Sequence, residues 1–317
     1  MATYRVLVSD PISEKGVDAL RAAPEISVDV NTGLKPEELL KIIGDYHGLV
    51  VRSQTKVTPE VFAAAKNLKA IGRAGVGVDN IDRAAATDHG VVVMNTPSGN
   101  TISTAEHAFT LMLSLARNIP QAHASIIAGK WDRKSFEGVE IFGKRLAILG
   151  MGRIGTEFAK RAQAFGMTVV AYDPFLTAAR AQSLKVELAE SAAVALTGAD
   201  IVTLHIPLTP ETQHILNAER IGLMNPGALI VNCARGGLVD EAAAKAHLDS
   251  GHLAGIALDV FETEPPTADF PLFGAKKCVF TPHLGASTAE AQEGVGIEIA
   301  EIGKCSVAKR APFTRSC

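Results

Sequence analysis

Short β-branched runs alternate with Ala-, Leu- and Glu-rich amphipathic stretches along almost the whole chain. That alternation is the pattern of βαβ units, which close on parallel sheets and on little else. Strands are predicted over 5–10, 26–30, 48–51, 70–73 and 91–94. Helices are predicted over 14–23, 36–43 and 59–65, the last two opened by Pro36 and Pro59 at a first helical position. A complete small α/β sheet is therefore expected before residue 97.

The rhythm then changes. Residues 101–117 (TISTAEHAFTLMLSLAR) form a long, mostly apolar helix, too short and too interrupted by Glu106 and His107 to span a bilayer. It is expected to be a buried spine between domains. A second alternation follows, with a strand over 145–149, a helix over 152–165 and a strand over 168–172. Later strands are predicted over 201–205, 228–232, 255–259 and 278–281. A final helix runs from about 287 to 304. Because a single helix follows the second sheet, it is expected to return to the first domain. The fold class is α/β, with two doubly wound parallel-sheet domains. Residues 1–97 and 285–317 make a discontinuous domain into which 98–284 are inserted, and a ligand cleft is expected between the two lobes.

Hydrophobic residues make up 47% of the 317 and charged residues 21%, ordinary values for a soluble globular chain. The net charge of −3 gives no bulk electrostatic reason to expect a nucleic-acid or membrane partner. The start, MATYRVLVSD, has no basic region followed by an apolar one, so a cytoplasmic location is expected. Cys233, Cys278, Cys305 and Cys317 are scattered, with no C-x-x-C pair and no His at ligand spacing. No metal site is expected.

Gly150-Met151-Gly152-Arg153-Ile154-Gly155 is a G-x-G-x-x-G hexamer, a weak signal alone. Here it follows the strand RLAILG, opens a helix and precedes a second strand, which is the context a dinucleotide fingerprint needs. Gly150 allows the tight turn, Gly152 lets backbone approach a pyrophosphate, and Gly155 lets helix and strand pack closely. The helix N-terminus then faces the phosphates with free N–H groups. Asp173 ends the strand TVVAYD, 18 positions after Gly155. A carboxylate there accepts from the adenine-ribose hydroxyls and repels a 2′-phosphate, so NAD is expected over NADP. Arg153 is better placed for the pyrophosphate than for a 2′-phosphate.

Three later residues form a candidate reaction centre. Arg235 follows the strand ALIVNCA, Glu264 lies in DVFETEPP, and His283 lies in TPHLGAST. All three sit at carboxyl ends of predicted parallel strands, where ligands of open α/β sheets bind. Oxidising a 2-hydroxy acid needs a base for the hydroxyl proton as hydride leaves C2, and histidine suits that near neutral pH. A neighbouring Glu orients the ring and stabilises imidazolium, and Arg holds a carboxylate bidentately. Taken singly, each has a structural explanation as a salt bridge, a turn residue or a loop histidine.

The segments RAGVGVDNID, GMGRIG, NCARGGLVDE, ALDVFETEP and TPHLGAST, in this order, resemble the D-isomer-specific 2-hydroxyacid dehydrogenases over roughly residues 4–303. The resemblance implies a Rossmann NAD domain inserted into a flavodoxin-like substrate domain. It implies that Arg235 binds the substrate carboxylate, His283 is the acid/base and Glu264 its partner. It places Asp259 at the nicotinamide carboxamide and the amides of Gly75, Val76 and Gly77 at the substrate carboxylate. Cys233 and Ala234 are implied to line the nicotinamide pocket, Cys233 in a packing role. Val76, Ile154 and Ala286 complete the implied cofactor contacts. A homodimer or homotetramer is also implied, with the apolar 101–117 helix in keeping with it.

Within the family, VVRSQTKVT, SGNTISTAEH and GKWDRKSFEG are most similar to the branch that oxidises 3-phospho-D-glycerate in the first step of phosphorylated serine biosynthesis. A phosphorylated acid needs cations at the end away from Arg235. Arg52, Arg133 and Lys134 are the candidates, with Ser53 and Asn100 as hydrogen-bonding partners. Arg133 and Lys134 have an equally good explanation as a solvated basic turn, and in this family their segment can reach toward a partner subunit. Members of this branch often continue into C-terminal domains that bind serine, whereas this chain ends IAEIGKCSVAKRAPFTRSC. A loose tail and no serine feedback through such a domain are expected. Three rival readings are weighed. A glyoxylate or hydroxypyruvate reductase would use the same centre on an unphosphorylated acid. An NAD-sensing, corepressor-like binding protein would keep the fold without turnover. A formate-acting enzyme is disfavoured because the Glu position is filled.

Overall fold

A computed structural model describes residues 4–308, with side chains to residue 301; the expected tail beyond 308 and the side chain of Cys305 lie outside the described residues. The chain divides into two compact units. One holds the residues up to Asn100 together with those from Ala286 onward, and the other is Thr101–Gly285.

The first unit runs β1 (Tyr4–Val8), α1 (Glu14–Arg21), β2 (Ile26–Val30), α2 (Pro36–Ile42), β3 (Gly48–Val51), α3 (Pro59–Ala64), β4 (Ala70–Arg73), α4 (Arg83–Asp88) and β5 (Val92–Asn95). Its sheet is parallel with order β2-β1-β3-β4-β5, the flavodoxin-like doubly wound order. Central β3 is buried at every position, as expected of a parallel strand covered on both faces. Helix α4 escapes the hydrophobic pattern because it has only 6 residues; its marker is Asp82, which caps it by accepting from the amide of Ala85 at 2.8 Å.

The second unit runs α5 (Thr101–Ala116), α6 (Ile119–Ile127), β6 (Arg145–Leu149), α7 (Arg153–Ala164), β7 (Thr168–Tyr172), α8 (Ala178–Leu184), β8 (Glu187–Leu188), α9 (Ala192–Leu196), β9 (Ile201–Leu204), α10 (Ala218–Ile221), β10 (Ala228–Asn232), α11 (Glu241–Asp249), β11 (Leu253–Leu258) and β12 (Cys278–Phe280). Seven parallel strands are ordered β12-β11-β10-β9-β6-β7-β8, so winding reverses between β6 and β9. This is the Rossmann order extended by one strand. The 101–117 helix, expected as a buried spine, contributes its stretch from Ala108 to Ala116 to the core of its own unit. Ala108, Leu111, Met112 and Leu115 join the core under α7, β10 and β11, and Phe109 meets Phe158 edge-on at 5.4 Å.

The last helix, α12 (Ala289–Ala308), belongs to the first unit and lies against α1 and β4. The approach to α1 is close enough to require glycine on both sides. A Cβ on Gly16 would stand 2.8 Å from the backbone of Gly296, and one on Gly296 would stand 2.5 Å from the Ser13 hydroxyl. Val295, Ile299 and Ala300 are buried there, and Lys15 pairs with Glu293 at 2.8 Å at the surface.

Candidate active site

The dinucleotide loop is built by its glycines in two different ways. Gly150 has φ +98°, and a Cβ on it would lie 2.6 Å from the carbonyl oxygen of His205. A Cβ on Gly155 would lie 2.0 Å from the carbonyl oxygen of Gly150. Both are demanded by packing at the β6–β9 reversal. Gly152 is different: nothing stands within 4 Å of where its Cβ would be. It precedes α7 with no side-chain cap, so the first amides of that helix are open to a ligand. Open ground before uncapped amides, which a Cβ at 152 would obstruct, fits a dinucleotide pyrophosphate. A recess of about 330 Å³ lies alongside, lined by Ile102, Gly152, Arg153, Thr156, Lys160 and Arg180 among others.

Asp173 stands one residue beyond β7, half-buried and oriented by two amides. Its Oδ2 accepts from Met151 and its Oδ1 from Phe175, each at 2.8 Å. A carboxylate has about four acceptor sites, so two remain for ribose hydroxyls.

The three candidate residues of a reaction centre, Arg235, Glu264 and His283, follow the carboxyl ends of β10, β11 and β12. The Nδ1 of His283 lies 2.8 Å from Oε2 of Glu264, whose Oε1 accepts from the amide of Phe261 at 3.1 Å. Nδ1 donates to the carboxylate, so the ring's Nε2 is left for a substrate. The bond to Glu264 and its charge raise the His283 pKa above the ordinary value, with burial and the charge of Arg235 opposing. Burial pushes the Glu264 carboxyl upward, but the His283 bond and charge outweigh it and leave its pKa lowered. His283 itself has φ +56°, a left-handed conformation that histidine tolerates better than most residues. Arg235 is half-buried, donates to the carbonyl of Ala234 at 2.6 Å, and has its own carbonyl held by the Asn232 side chain at 2.8 Å. Gly236 must be glycine, since a Cβ would fall 1.7 Å from the carbonyl oxygen of Phe261. Cys233 is 7% exposed, and burial followed by the charge of Asp259 raises its pKa well above the ordinary thiol value. Such a thiol is inert packing, not a nucleophile.

Asp259, expected at the nicotinamide carboxamide, is fully buried. Its Oδ1 accepts from Thr281 Oγ1 at 2.6 Å, the Leu284 amide at 2.7 Å and His107 Nε2 at 3.1 Å, and its Oδ2 accepts from the Gly285 amide at 2.8 Å. Burial raises its pKa, but these donors outweigh it and the net shift is downward. The carboxylate therefore holds the 281–285 segment that presents His283. His107, on α5, lies 3.1 Å from both Asp259 and Thr281. Because the Thr281 proton goes to Asp259, the His107 Nε2–H is the shared donor. Sequence reasoning noted His107 only as an interruption of an apolar helix; its partner is 152 positions away, and no local pattern announces it.

The remaining expected residues are distributed over both units. Arg52 and Ser53 follow β3, and Gly75, Val76 and Gly77 follow β4, in the first unit. Gly75 has φ +152° and leaves room for Arg73, whose Nη1 would be 1.6 Å from a Cβ. Its amide is taken by the Arg73 carbonyl at 2.9 Å, and the Val76 carbonyl accepts from Asn95 at 2.6 Å. Asn100 and Ala286 are the residues at which the first unit breaks off and resumes. Arg133 and Lys134 are exposed on a turn between α6 and β6, with Ala234 half-buried beside Arg235.

Residues 109–285 match the family described as D-isomer specific 2-hydroxyacid dehydrogenase, NAD binding domain. The D-3-phosphoglycerate dehydrogenase of Archaeoglobus fulgidus is 51% identical over 94% of this chain, which spans 56% of that relative. This chain thus spans about half the length of several curated relatives it matches. The hydroxypyruvate reductase of Thermotoga maritima is 46% identical over 95% of this chain and 97% of its own. A crystal structure of a Thermus thermophilus protein superposes with a TM-score of 0.87 at 37% identity, covering 96% of this chain and 97% of the other. A fingerprint loop shaped for a pyrophosphate, a His–Glu pair facing an Arg, and these matches along nearly the whole sequence have one common explanation: the chain belongs to the D-isomer-specific 2-hydroxyacid dehydrogenases, with residues 109–285 as its NAD-binding domain.

Proposed function

We propose that the chain catalyses the NAD-dependent oxidation of 3-phospho-D-glycerate to 3-phosphohydroxypyruvate, the first step of phosphorylated serine biosynthesis. The observation that carries the chemistry is the His283–Glu264 pair at 2.8 Å with Arg235 close enough to bear on the His283 charge. NAD, when bound, supplies the hydride acceptor for C2. Arg235 holds the substrate carboxylate and polarises the 2-oxygen. His283 takes the C2 hydroxyl proton at Nε2 as the C2–H bond breaks, and Glu264 stabilises the imidazolium that results. In reduction the same Nε2 returns the proton to the alkoxide. Asp259, covered by its four donors, acts by holding Leu284 and Gly285 in place behind His283. The amides of Val76 and Gly77 are assigned to the substrate carboxylate, since that of Gly75 is already engaged. Arg52, with Ser53, is assigned to the 3-phosphate, and Arg133 and Lys134 to a supporting role from their exposed turn.

A second reading, reduction of hydroxypyruvate or glyoxylate, is favoured by one observation. The Thermotoga relative named for hydroxypyruvate is 46% identical over 95% of this chain, near the 51% over 94% of the Archaeoglobus relative. NADH oxidation with 3-phosphohydroxypyruvate, hydroxypyruvate and glyoxylate in parallel decides between them. The first reading requires a kcat/KM at least tenfold higher for the phosphorylated acid. A preference for either unphosphorylated acid replaces it with the second, and silence on all three favours an NAD-sensing binding protein.

A homo-oligomer is the expected assembly. Ile126, Ile127, Trp131 and Phe142 are 52%, 76%, 82% and 76% exposed on and after α6, large apolar side chains of the kind a second copy would cover. Light scattering on the purified protein checks this, a monomer being the adverse result. A cytoplasmic location accompanies the pathway assignment, with recovery in another compartment on fractionation as its refutation.

A further inference from the structure

In the first unit the winding of the sheet reverses between β1 and β3, the place where ligands of open α/β sheets bind. The segments leaving those two strands are joined there by one side chain. Asp10, two residues beyond β1, is 1% exposed. Its Oδ2 accepts from the amides of Arg52 at 2.6 Å and Gln54 at 3.2 Å. Both oxygens accept from the amide of Thr55 at 3.1 Å, and Oδ1 accepts from the Thr55 hydroxyl at 2.5 Å. Ser9 touches the same hydroxyl at 3.0 Å. The loop is held from its other side by Asn80, whose Nδ2 donates to the carbonyls of Arg52 at 2.8 Å and Thr55 at 2.7 Å. The guanidinium of Arg52 leans on the carbonyl of Pro11 at 3.4 Å.

A buried carboxylate is costly to desolvate, and this one is retained by converging backbone amides instead of a cation. Such a nest of amides is itself an anion site. Here the protein fills it from within, which fixes the loop backbone at residues 52–55 and with it the root of the Arg52 side chain. We propose that Asp10, seconded by Asn80, is a positioning residue that sets Arg52 and Ser53 to receive the phosphate of a phosphorylated 2-hydroxy acid. This rests on the assignment of Arg52 to the phosphate made above.

Asp10→Asn tests it, because the new amide group places N–H donors against the N–H donors of the loop. Thr55→Val and Asn80→Ala loosen the same loop more mildly, in case Asp10→Asn does not fold. Steady-state kinetics with NADH are run on 3-phosphohydroxypyruvate and hydroxypyruvate for the parent and each variant. The proposal expects kcat/KM for the phosphorylated acid to fall about tenfold, the scale of one misplaced charge-assisted hydrogen bond, through KM. Values for hydroxypyruvate should stay within about twofold, so the preference narrows. A parent that prefers the phosphorylated acid, with variants that keep the preference, overturns the proposal and leaves the assignment of Arg52 standing. Equal losses on both acids reveal a merely structural role and also overturn it. A parent without the preference overturns the assignment of Arg52, and the proposal with it.

Discussion

Replacing Glu264 by Gln keeps the size of the side chain and one hydrogen bond to His283 but removes the charge. The bond is 2.8 Å long, with the His283 side chain 50% and the Glu264 side chain 37% exposed. A hydrogen bond to a charged group contributes about 1.5–3 kcal/mol when sheltered. With this much solvent beside the pair, screening reduces that to roughly 1 kcal/mol. Since about 1.4 kcal/mol is tenfold, the variant should lose roughly fivefold in kcat from weaker stabilisation of the imidazolium formed in the reaction. The pH dependence is more diagnostic. Glu264 is the first cause of the raised His283 pKa, so removing its charge lowers that pKa. Reduction needs the imidazolium as proton donor, and its decline on the alkaline side should begin at lower pH in the variant. Oxidation needs the neutral ring, and its acid-side decline should also move to lower pH. Initial rates in both directions across pH 5–10, with NADH binding followed by fluorescence, give the answer. Unmoved limbs in both directions would refute the coupling of Glu264 to His283.

Three further outcomes are expected. Asp173→Ala should weaken NAD binding and narrow its advantage over NADP, since a carboxylate held by two amides is lost; an unchanged cofactor ratio in kcat/KM contradicts this. Gly155→Ala drives a Cβ to 2.0 Å from the Gly150 carbonyl, so it should destabilise the fold by about 1–3 kcal/mol and weaken NADH binding; a normal melting temperature with normal NADH affinity is the adverse result. His107→Ala leaves the buried Asp259 short of one donor, a loss of about 1–3 kcal/mol. It should lower both the melting temperature and kcat, and a variant unaltered in both would remove His107 from the support of the catalytic segment.

The parts of the site legible in the sequence are those whose physics is local. Glycine spacing between a strand and a helix is a local constraint, and Gly150, Gly152 and Gly155 take up the turn, the open ground and the close packing that the hexamer announces. The positions of Arg235, Glu264 and His283 follow from strand ends, because a parallel sheet delivers successive strand ends to one edge. What escaped is carried by single polar residues acting across long sequence distances. His107 reaches Asp259 152 positions away, and Asp10 gathers amides 42–45 positions away. Each sits in an ordinary local setting, one inside an apolar helix and the other just past a strand. Burial with several donors gives them meaning, and burial is a property of the folded chain. The 101–117 helix shows the converse, since its apolarity is visible in the sequence but the surface it covers is not. Its side chains from Ala108 to Ala116 pack with α7 and the sheet of its own unit, while large exposed apolar side chains lie on and after α6.

Proton transfer by His283 is the centre of the proposed reaction, and His283→Gln tests it most directly. The variant is assayed for NADH-dependent reduction of 3-phosphohydroxypyruvate and hydroxypyruvate, with NADH affinity measured by fluorescence on the same sample. Turnover reduced on the order of 10²–10⁴-fold on both acids, with NADH affinity unchanged, is the predicted result. Turnover within a few-fold of the parent would take His283 out of the reaction and leave the His–Glu pair without its function.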